Sequence, residues 1–267
     1  MRVEKIKNFS EYSLLVDKFG IKGCTSNDYL QNEASVLIEE GKLYKLEGES
    51  NAYLLVEKDG FYRLYYYIND FSELPVFPND ILTTEIIYRE ASGEPADEIV
   101  FLEKVGFHRH LTRDQYSGVY KNLITTDSPS NISIKFAEKK CEAVWAFNLF
   151  NQIFDKYTGD YNSPQIYPLI IKRKELILAY ENENPLGALH MEEHGSVASI
   201  AHIAVSEAAR GKHVGKSLVD FFIMMNMVSD KSRYMLWVQQ QNAPAVSLYR
   251  NSGFIRTGKS SLSMIKN

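Results

Sequence analysis

Two short stretches of this chain carry side chains whose types and spacing could do chemistry. The first is Arg210-Gly211-Lys212-His213-Val214-Gly215-Lys216, which follows the apolar strand end Ile203-Ala204-Val205. It precedes a run with Leu218, Phe221, Phe222 and Met225 on one helical face. A strand, a glycine-bearing basic turn and a helix make an anion cradle, because the unbonded N–H groups of the first helical turn and the helix dipole both point at whatever fills the turn. The second stretch follows another apolar strand, Tyr234-Met235-Leu236-Trp237-Val238, and holds Asn242, Ala245, Tyr249, Gly253 and Phe254. That spacing sets Asn242, Ala245 and Tyr249 along one side of a short helix closed by Gly253, a residue suited to a C-terminal cap. The Tyr249 phenol can donate a hydrogen bond or a proton. His202 precedes Val205 on the first strand and is suited to taking a proton at neutral pH. Strand alternation puts His202 and Ala204 on the face opposite Ile203 and Val205.

Taken together and in this order, the two stretches resemble the Gcn5-related N-acetyltransferase (GNAT) superfamily, over residues 132–267. The resemblance implies acetyl-CoA as the acyl donor. The turn formed by Arg210, Gly211, Lys212, His213, Val214, Gly215 and Lys216 would hold its pyrophosphate, chiefly through backbone N–H groups. Ile203 and Val205 on the strand, and Asn242, Ala245 and Tyr249 on the later helix, would line the rest of it, with Tyr249 beside the sulfur and Asn242 bonding the pantetheine or neighbouring backbone. One residue departs from the family pattern: His213 stands where glycine is usual. The turn therefore asks a histidine to take a left-handed conformation, a region in which His is enriched among non-glycine residues.

Acyl transfer from a thioester to an amine needs a neutral nucleophile, stabilisation of the developing oxyanion and a proton for the departing thiolate. A lysine-like amine costs about 4.6 kcal/mol to deprotonate at pH 7, so a base or a desolvating pocket is required. His202 stands where the resembled family often carries a base-like carboxylate, and Tyr249 is the expected proton donor. His190, Glu192 and Glu193 are alternative bases, and a structural role for His202 remains open. Backbone N–H groups at the end of Ala204-Val205 would meet the oxyanion. The resemblance implies direct transfer to a primary amine of a small molecule or peptide, with no covalent enzyme intermediate and no metal.

The elements that must position these groups form two α/β domains, each expected as a mixed, mostly antiparallel sheet flanked by helices. A polar, breaker-rich stretch at 125–131 divides the chain into 1–124 and 132–267. In the first part a strand from Val3 and a helix with Tyr12, Leu15 and Phe19 lead through a polar segment with Asn27, Asp28, Asn32 and Glu33 to a second short helix. Strand-like runs follow, with Asp59-Gly60 marking a hairpin. After Ile68 a basic glycine turn should appear if this half also held a pyrophosphate. Instead, residues 69–78 carry acids and prolines and no glycine. Further on, Phe101 to Phe107 aligns with Leu248 to Phe254 and puts Leu102 where Tyr249 stands. The first half therefore reads as a degenerate copy of the second, walling the acceptor site.

In the second half the expected helix at 138–154 shows two apolar stripes, Cys141-Trp145-Leu149-Ile153 and Phe147-Phe150-Phe154. Cys141 is expected as a small core residue. The loop that follows offers Tyr157, Tyr161 and Tyr167 as candidates to shape the acceptor site.

Composition narrows the partners. The chain has 267 residues, a formal net charge of −4 and only two cysteines, Cys24 and Cys141. The acidic balance argues against nucleic-acid binding and suits a cationic acceptor. No apolar leader and no membrane-length run are seen, so a cytoplasmic protein is expected, monomeric or homodimeric, with neither disulfide framework nor zinc site. Rival readings are a non-catalytic acyl-CoA-binding or protein-interaction module, and an aminoacyl transferase using charged tRNA, which also pairs two such domains.

Overall fold

The computed structural model describes residues 3–20, 23–26, 30, 33–119, 131–158, 164–229 and 231–267. Asn27, Asp28, Asn32, Tyr161 and most of the 125–131 boundary lie outside them. The chain forms two compact units, residues 1–112 with 258–267, and residues 113–257.

The first unit contains β1 (Val3–Lys5), α1 (Phe9–Phe19), β2 (Cys24–Thr25), α2 (Ala34–Glu39), β3 (Leu43–Glu47), β4 (Ala52–Lys58), β5 (Phe61–Ile68), β6 (Leu82–Arg89), α3 (Ala96–Lys104) and the start of β7 (His108–Gly118). The second contains β8 (Ser133–Phe136), α4 (Lys140–Ile153), α5 (Tyr167–Lys172), β9 (Leu176–Glu181), β10 (Asn184–His194), β11 (Val197–Val205), α6 (Val214–Val228), β12 (Arg233–Gln239), α7 (Ala243–Asn251) and the start of β13 (Ile255–Lys266).

Each unit is a mixed sheet in which consecutive strands pair antiparallel until one parallel step. In the first unit the order is β1-β3-β4-β5-β6, with β5 and β6 parallel. In the second it is β8-β9-β10-β11-β12, with β11 and β12 parallel. The strand that completes each sheet comes from the far end of the other stretch of chain. Arg113 to Gly118 of β7 pairs with β12, and Lys259 to Lys266 of β13 pairs with β6. The units thus differ from the contiguous 1–124 and 132–267 expected from sequence. Breaker residues mark where the chain leaves regular structure, whereas a strand's partner is chosen by long-range pairing that local composition does not encode.

Local signals explain most of the elements. The Asp59-Gly60 turn joins β4 to β5 with Lys58 opposite Phe61 and Gly60 at φ 80°. Asn182 and Glu183, both at positive φ, join β9 to β10 in the same way. Helix α3 ends with Gly106 at φ 97°, its N–H bonded to Glu103 O (3.1 Å) and the Phe107 N–H to Leu102 O (3.0 Å). Helix α7 ends identically, with Gly253 at φ 88°, its N–H on Arg250 O (3.0 Å) and the Phe254 N–H on Tyr249 O (3.0 Å). Both are Schellman caps, in which glycine supplies the left-handed residue without a Cβ penalty.

Both faces of the second sheet are covered. Ala143, Ala146, Phe147 and Phe150 of α4 pack with Tyr167 and Ile170 of α5 on one face, against Leu178, Ala188 and Ala204. Leu218 and Phe222 of α6 and Tyr249 of α7 pack on the other, against Leu189 and Leu236. The buried face of α4 therefore corrects one expectation: Cys141 is exposed and Ile153 nearly half so, while Trp145 and Leu149 are only partly buried. Alanines at 143 and 146 let the helix approach the sheet along the 143-146-147-150 line, which turns Cys141 outward.

Candidate active site

Strand β11 sets the frame. Ser206 N–H donates to Leu186 O (2.8 Å), and Ala204 and His202 lie opposite Ala188 and His190 of β10. By strand alternation the backbone groups of Ile203 and Val205 point to the other edge. There β12 pairs in parallel only with Val197 to Ile200, although β11 runs on to Val205 and β12 to Gln239. The register with β10 passes from His190↔His202 to Met191↔Ile200, so Ala201 is a bulge residue at the point where the ladder with β12 stops. A bulge increases local twist and ends pairing. Beyond it the two strands part, and among the described residues no strand pairs with the Ile203–Val205 edge.

The edge leads to the glycine-bearing turn. Gly211 (φ 79°) and His213 (φ 60°, ψ 14°) are both left-handed, and His213 is the N-cap of α6. Histidine thus adopts the conformation that the usual glycine would have taken. The Ser217 N–H donates to His213 O (3.1 Å), so the N–H groups of Val214, Gly215 and Lys216 come before the helical ladder and open at its positive end. A Cβ on Gly215 would lie 3.3 Å from Leu248 Cδ2 and 3.7 Å from Val205 Cγ2, so glycine lets α6 sit close to α7 and the strand end. The basic side chains are engaged elsewhere. Lys212 pairs with Glu181 (3.0 Å), Lys216 with the buried Asp220, and the exposed Arg210 approaches Glu207 at 3.9 Å. The donors facing the turn are therefore backbone groups.

Helix α7 holds the second stretch. Asn242 Oδ1 accepts from the Ala245 N–H (3.2 Å), so this side chain caps its own helix; of the two bonding roles expected for it, the backbone one is realised. Tyr249 is buried, its ring edge-on to Phe254 at 6.0 Å between centroids, and burial pushes its phenol well above the ordinary range. It is protonated at neutral pH.

His202 and Ala204 lie on the α4 face, whereas Tyr249, Ile203 and Val205 pack on the α6 and α7 face. The structure does not bring His202 and Tyr249 together on one face; only something passing between the parted strands could meet both. His202 stacks on Phe150 (5.4 Å) and meets the Phe154 ring edge-on (5.2 Å). His190, itself a candidate base by sequence, is its cross-strand partner, with Nδ1 3.4 Å from Nδ1 of His202. That contact could not be read from sequence, since it depends on the register of two strands; the only signal is a histidine on each of two adjacent predicted strands. The two candidate carboxylates lie apart from this contact: Glu193 pairs with Lys231 (2.6 Å), and Glu192 is exposed beside His194 (3.9 Å). Tyr167 is buried and stacked on Phe147 (4.6 Å), while the backbone N–H of Tyr157 donates to Asp155 (2.9 Å). Among the described residues no group of three or more His, Cys, Asp or Glu could hold a metal ion, and no helix is long and apolar enough to cross a membrane.

Residues 146–254 match the acetyltransferase (GNAT) family. No curated protein sequence matches the chain. Among solved structures, the chain is similar to a GCN5-related N-acetyltransferase from Sphaerobacter thermophilus, at 12% identity and a TM-score of 0.62, over 81% of this chain and 76% of that one. It is similar over nearly its full length to the tandem GNAT protein from the clavulanic acid biosynthesis pathway, at 11% identity and a TM-score of 0.60, covering 99% and 98% of the two chains. A GNAT-family acetyltransferase from Colwellia psychrerythraea is similar at 13% identity and a TM-score of 0.57, covering 100% and 99%. At these identities the likeness is one of fold.

Proposed function

We propose, for a chain that belongs to the GNAT acetyltransferase superfamily through its C-terminal half, that the second unit transfers an acetyl group from acetyl-CoA directly to a primary amine in the cytoplasm. The observation that supports this reading is the edge of β11 at Ile203 and Val205, with which no strand pairs among the described residues, running to a left-handed turn and the N-terminus of α6. An extended chain with alternating amide donors and acceptors fits such an edge, and a pyrophosphate fits a ring of backbone N–H groups at a helix N-terminus. Acetyl-CoA has both parts, and when bound it supplies the activated acyl group.

The chain's own residues do the rest. Backbone N–H groups at the strand end hold the negative charge that develops on the acyl oxygen. His202 takes the proton of the attacking amine, and the neutral Tyr249 phenol donates to the sulfur as the C–S bond breaks. Phe150 and Phe154 pack against the His202 ring and hold its orientation.

Calorimetric titration with acetyl-CoA and with CoA tests the reading. Wild-type protein is expected to bind one equivalent in the micromolar range, about −8 kcal/mol. Gly215→Glu, which adds bulk against Val205 and Leu248 and a carboxylate at the anion site, is expected to abolish binding while far-UV dichroism stays native. Folded wild-type protein that binds neither ligand would contradict it.

A further inference from the structure

The turn before α6 carries four side chains able to hold positive charge, and three of them have a carboxylate beside them. Arg210 approaches Glu207 (3.9 Å), Lys212 pairs with Glu181 (3.0 Å) and Lys216 pairs with Asp220. The fourth, His213, is exposed, makes no capping hydrogen bond to its helix, and has no carboxylate paired with it among the described residues. The elements around the turn add Glu183 between β9 and β10 and Arg250 at the end of α7, both exposed, while Lys135 of β8 is turned to Glu142 of α4 (3.4 Å). His213 is thus the one group of the turn whose charge is neither fixed nor already matched.

Its position ties it to the anion site. His213 is the N-cap of a 15-residue helix and stands directly before Val214, Gly215 and Lys216, whose N–H groups open at the positive end of α6. Successive Cα atoms lie about 3.8 Å apart, and a charge is felt over a Debye length of about 8 Å at physiological salt. An imidazole at 213 therefore acts on an anion in the turn whichever way its ring is rotated. A neighbouring anion favours the imidazolium, and the imidazolium favours the anion in equal measure. Imidazole is the side chain suited to changing charge between pH 5 and 8. Glycine would satisfy the left-handed backbone at this position but would bring no charge.

We propose, resting on the acyltransferase reading, that the His213 side chain is a proton-dependent part of the cofactor site: its ring takes up a proton from solvent together with the phosphates of acetyl-CoA, and the cofactor is held more tightly as pH falls from 8 to 6. The proton adds to the lone pair of the neutral ring and leaves again when the cofactor leaves. No bond forms between ring and phosphate. The complex holds more protons than its separate parts, so affinity rises with falling pH. The backbone N–H groups build the site, and the histidine makes its strength respond to pH.

The test is calorimetric titration with dephospho-CoA at pH 6, 7 and 8, in buffers of different ionisation enthalpy. This probe keeps the pyrophosphate but lacks the phosphomonoester, a group that titrates near pH 6 by itself. Wild-type protein is expected to bind roughly fivefold more tightly at pH 6 than at pH 8, and to take up about half a proton per site at pH 7. His213→Gly and His213→Asn both suit a left-handed residue and carry no charge, and their affinities are expected to stay within about twofold over the same range. In NMR titrations the His213 midpoint is expected to rise by about one pH unit when dephospho-CoA is bound. A flat wild-type affinity, an equal pH dependence in the two variants, or an unmoved His213 midpoint would each overturn the proposal while leaving the acyltransferase reading in place. Folded wild-type protein that binds no probe at any pH would remove both.

Discussion

The gap between the parallel strands is filled by a strand in the first unit, whereas among the described residues no strand fills it in the second. In the first unit β5 pairs with β6 only at Tyr62 and Arg63. Past that point the short strand β2 takes over the edge, with Cys24 and Thr25 opposite Ile68 and Tyr67, and Ser26 exchanging hydrogen bonds with Tyr66 (3.0 Å each). Counting back from the strand ends, Tyr66 and Ile68 correspond to Ile203 and Val205. The first unit therefore supplies from its own chain the extended backbone that no described strand supplies in the second. Buried backbone N–H and C=O groups need partners, so an edge left without a strand is an edge built for a ligand or for water.

The side chains follow the same contrast. Aligning the Schellman caps sets Glu98 against Ala245 and Leu102 against Tyr249. The Tyr66 hydroxyl donates to Glu98 in a short, buried hydrogen bond, so a phenol and a carboxyl fill the space that Ile203 and the half-buried Ala245 leave in the second unit. Where the second unit has its left-handed turn and α6, the first has a connection held by Glu73, which accepts from the N–H groups of Glu49 (2.7 Å), Ser50 (2.9 Å) and Asn51 (3.0 Å). The cross-strand histidines have as counterparts Leu54 and Tyr65, an opposed pair of β4 and β5. One strand order thus carries an edge covered by a strand in one unit and, among the described residues, an edge without a paired strand in the other.

The largest expected effect comes from moving the plug. Ile203→Tyr with Ala245→Glu rebuilds the Tyr66–Glu98 pair in the second unit and is expected to weaken acetyl-CoA binding at least 100-fold, about 2.8 kcal/mol, by calorimetry. The reverse change, Tyr66→Ile with Glu98→Ala, is expected to gain no binding, because β2 still covers the edge. Unchanged affinity in the first variant, or a second binding event in the other, would break the comparison.

A smaller effect is expected from Glu98 alone. Burial holds its carboxyl above the usual carboxylate range, despite the hydrogen bonds of Tyr66 and Cys24. The folded chain thus keeps this proton where the unfolded chain releases it. Glu98 contributes its stability fully below about pH 4.5 and loses it as pH rises through the folded carboxyl's own, higher titration. Glu98→Gln cannot titrate, so its unfolding midpoint in urea is expected to fall less than wild type between pH 4.5 and 7. A parallel fall in both proteins would remove the pair as a buried, protonated plug.

Much of this was legible in the sequence. The glycine-bearing turn, the Asn242 to Phe254 pattern, its echo at Leu102 to Phe107 and the missing turn after Ile68 are each set by local backbone demands that residue type reveals. Even His213 declared its conformation, since an N-cap there must be left-handed whichever residue fills it. The rest depends on register and packing. The bulge at Ala201, the meeting of His190 with His202, the closure of the first gap by β2 and the exchange of terminal strands all arise from which strands pair and where. The outward turn of Cys141 arises from two alanines that set the helix angle. The carboxylates that engage Lys212 and Lys216 show why a basic run need not offer its side chains to an anion.

Amide hydrogen exchange followed by NMR, with and without CoA, tests the central claim most directly. In free protein the Ile203 and Val205 amides are expected to exchange fast for strand residues, and the Tyr66 and Ile68 amides slowly. On addition of CoA, Ile203 and Val205 should gain protection while Tyr66 and Ile68 stay as they were. Protection gained at Tyr66 and Ile68, or at neither pair, would contradict the account.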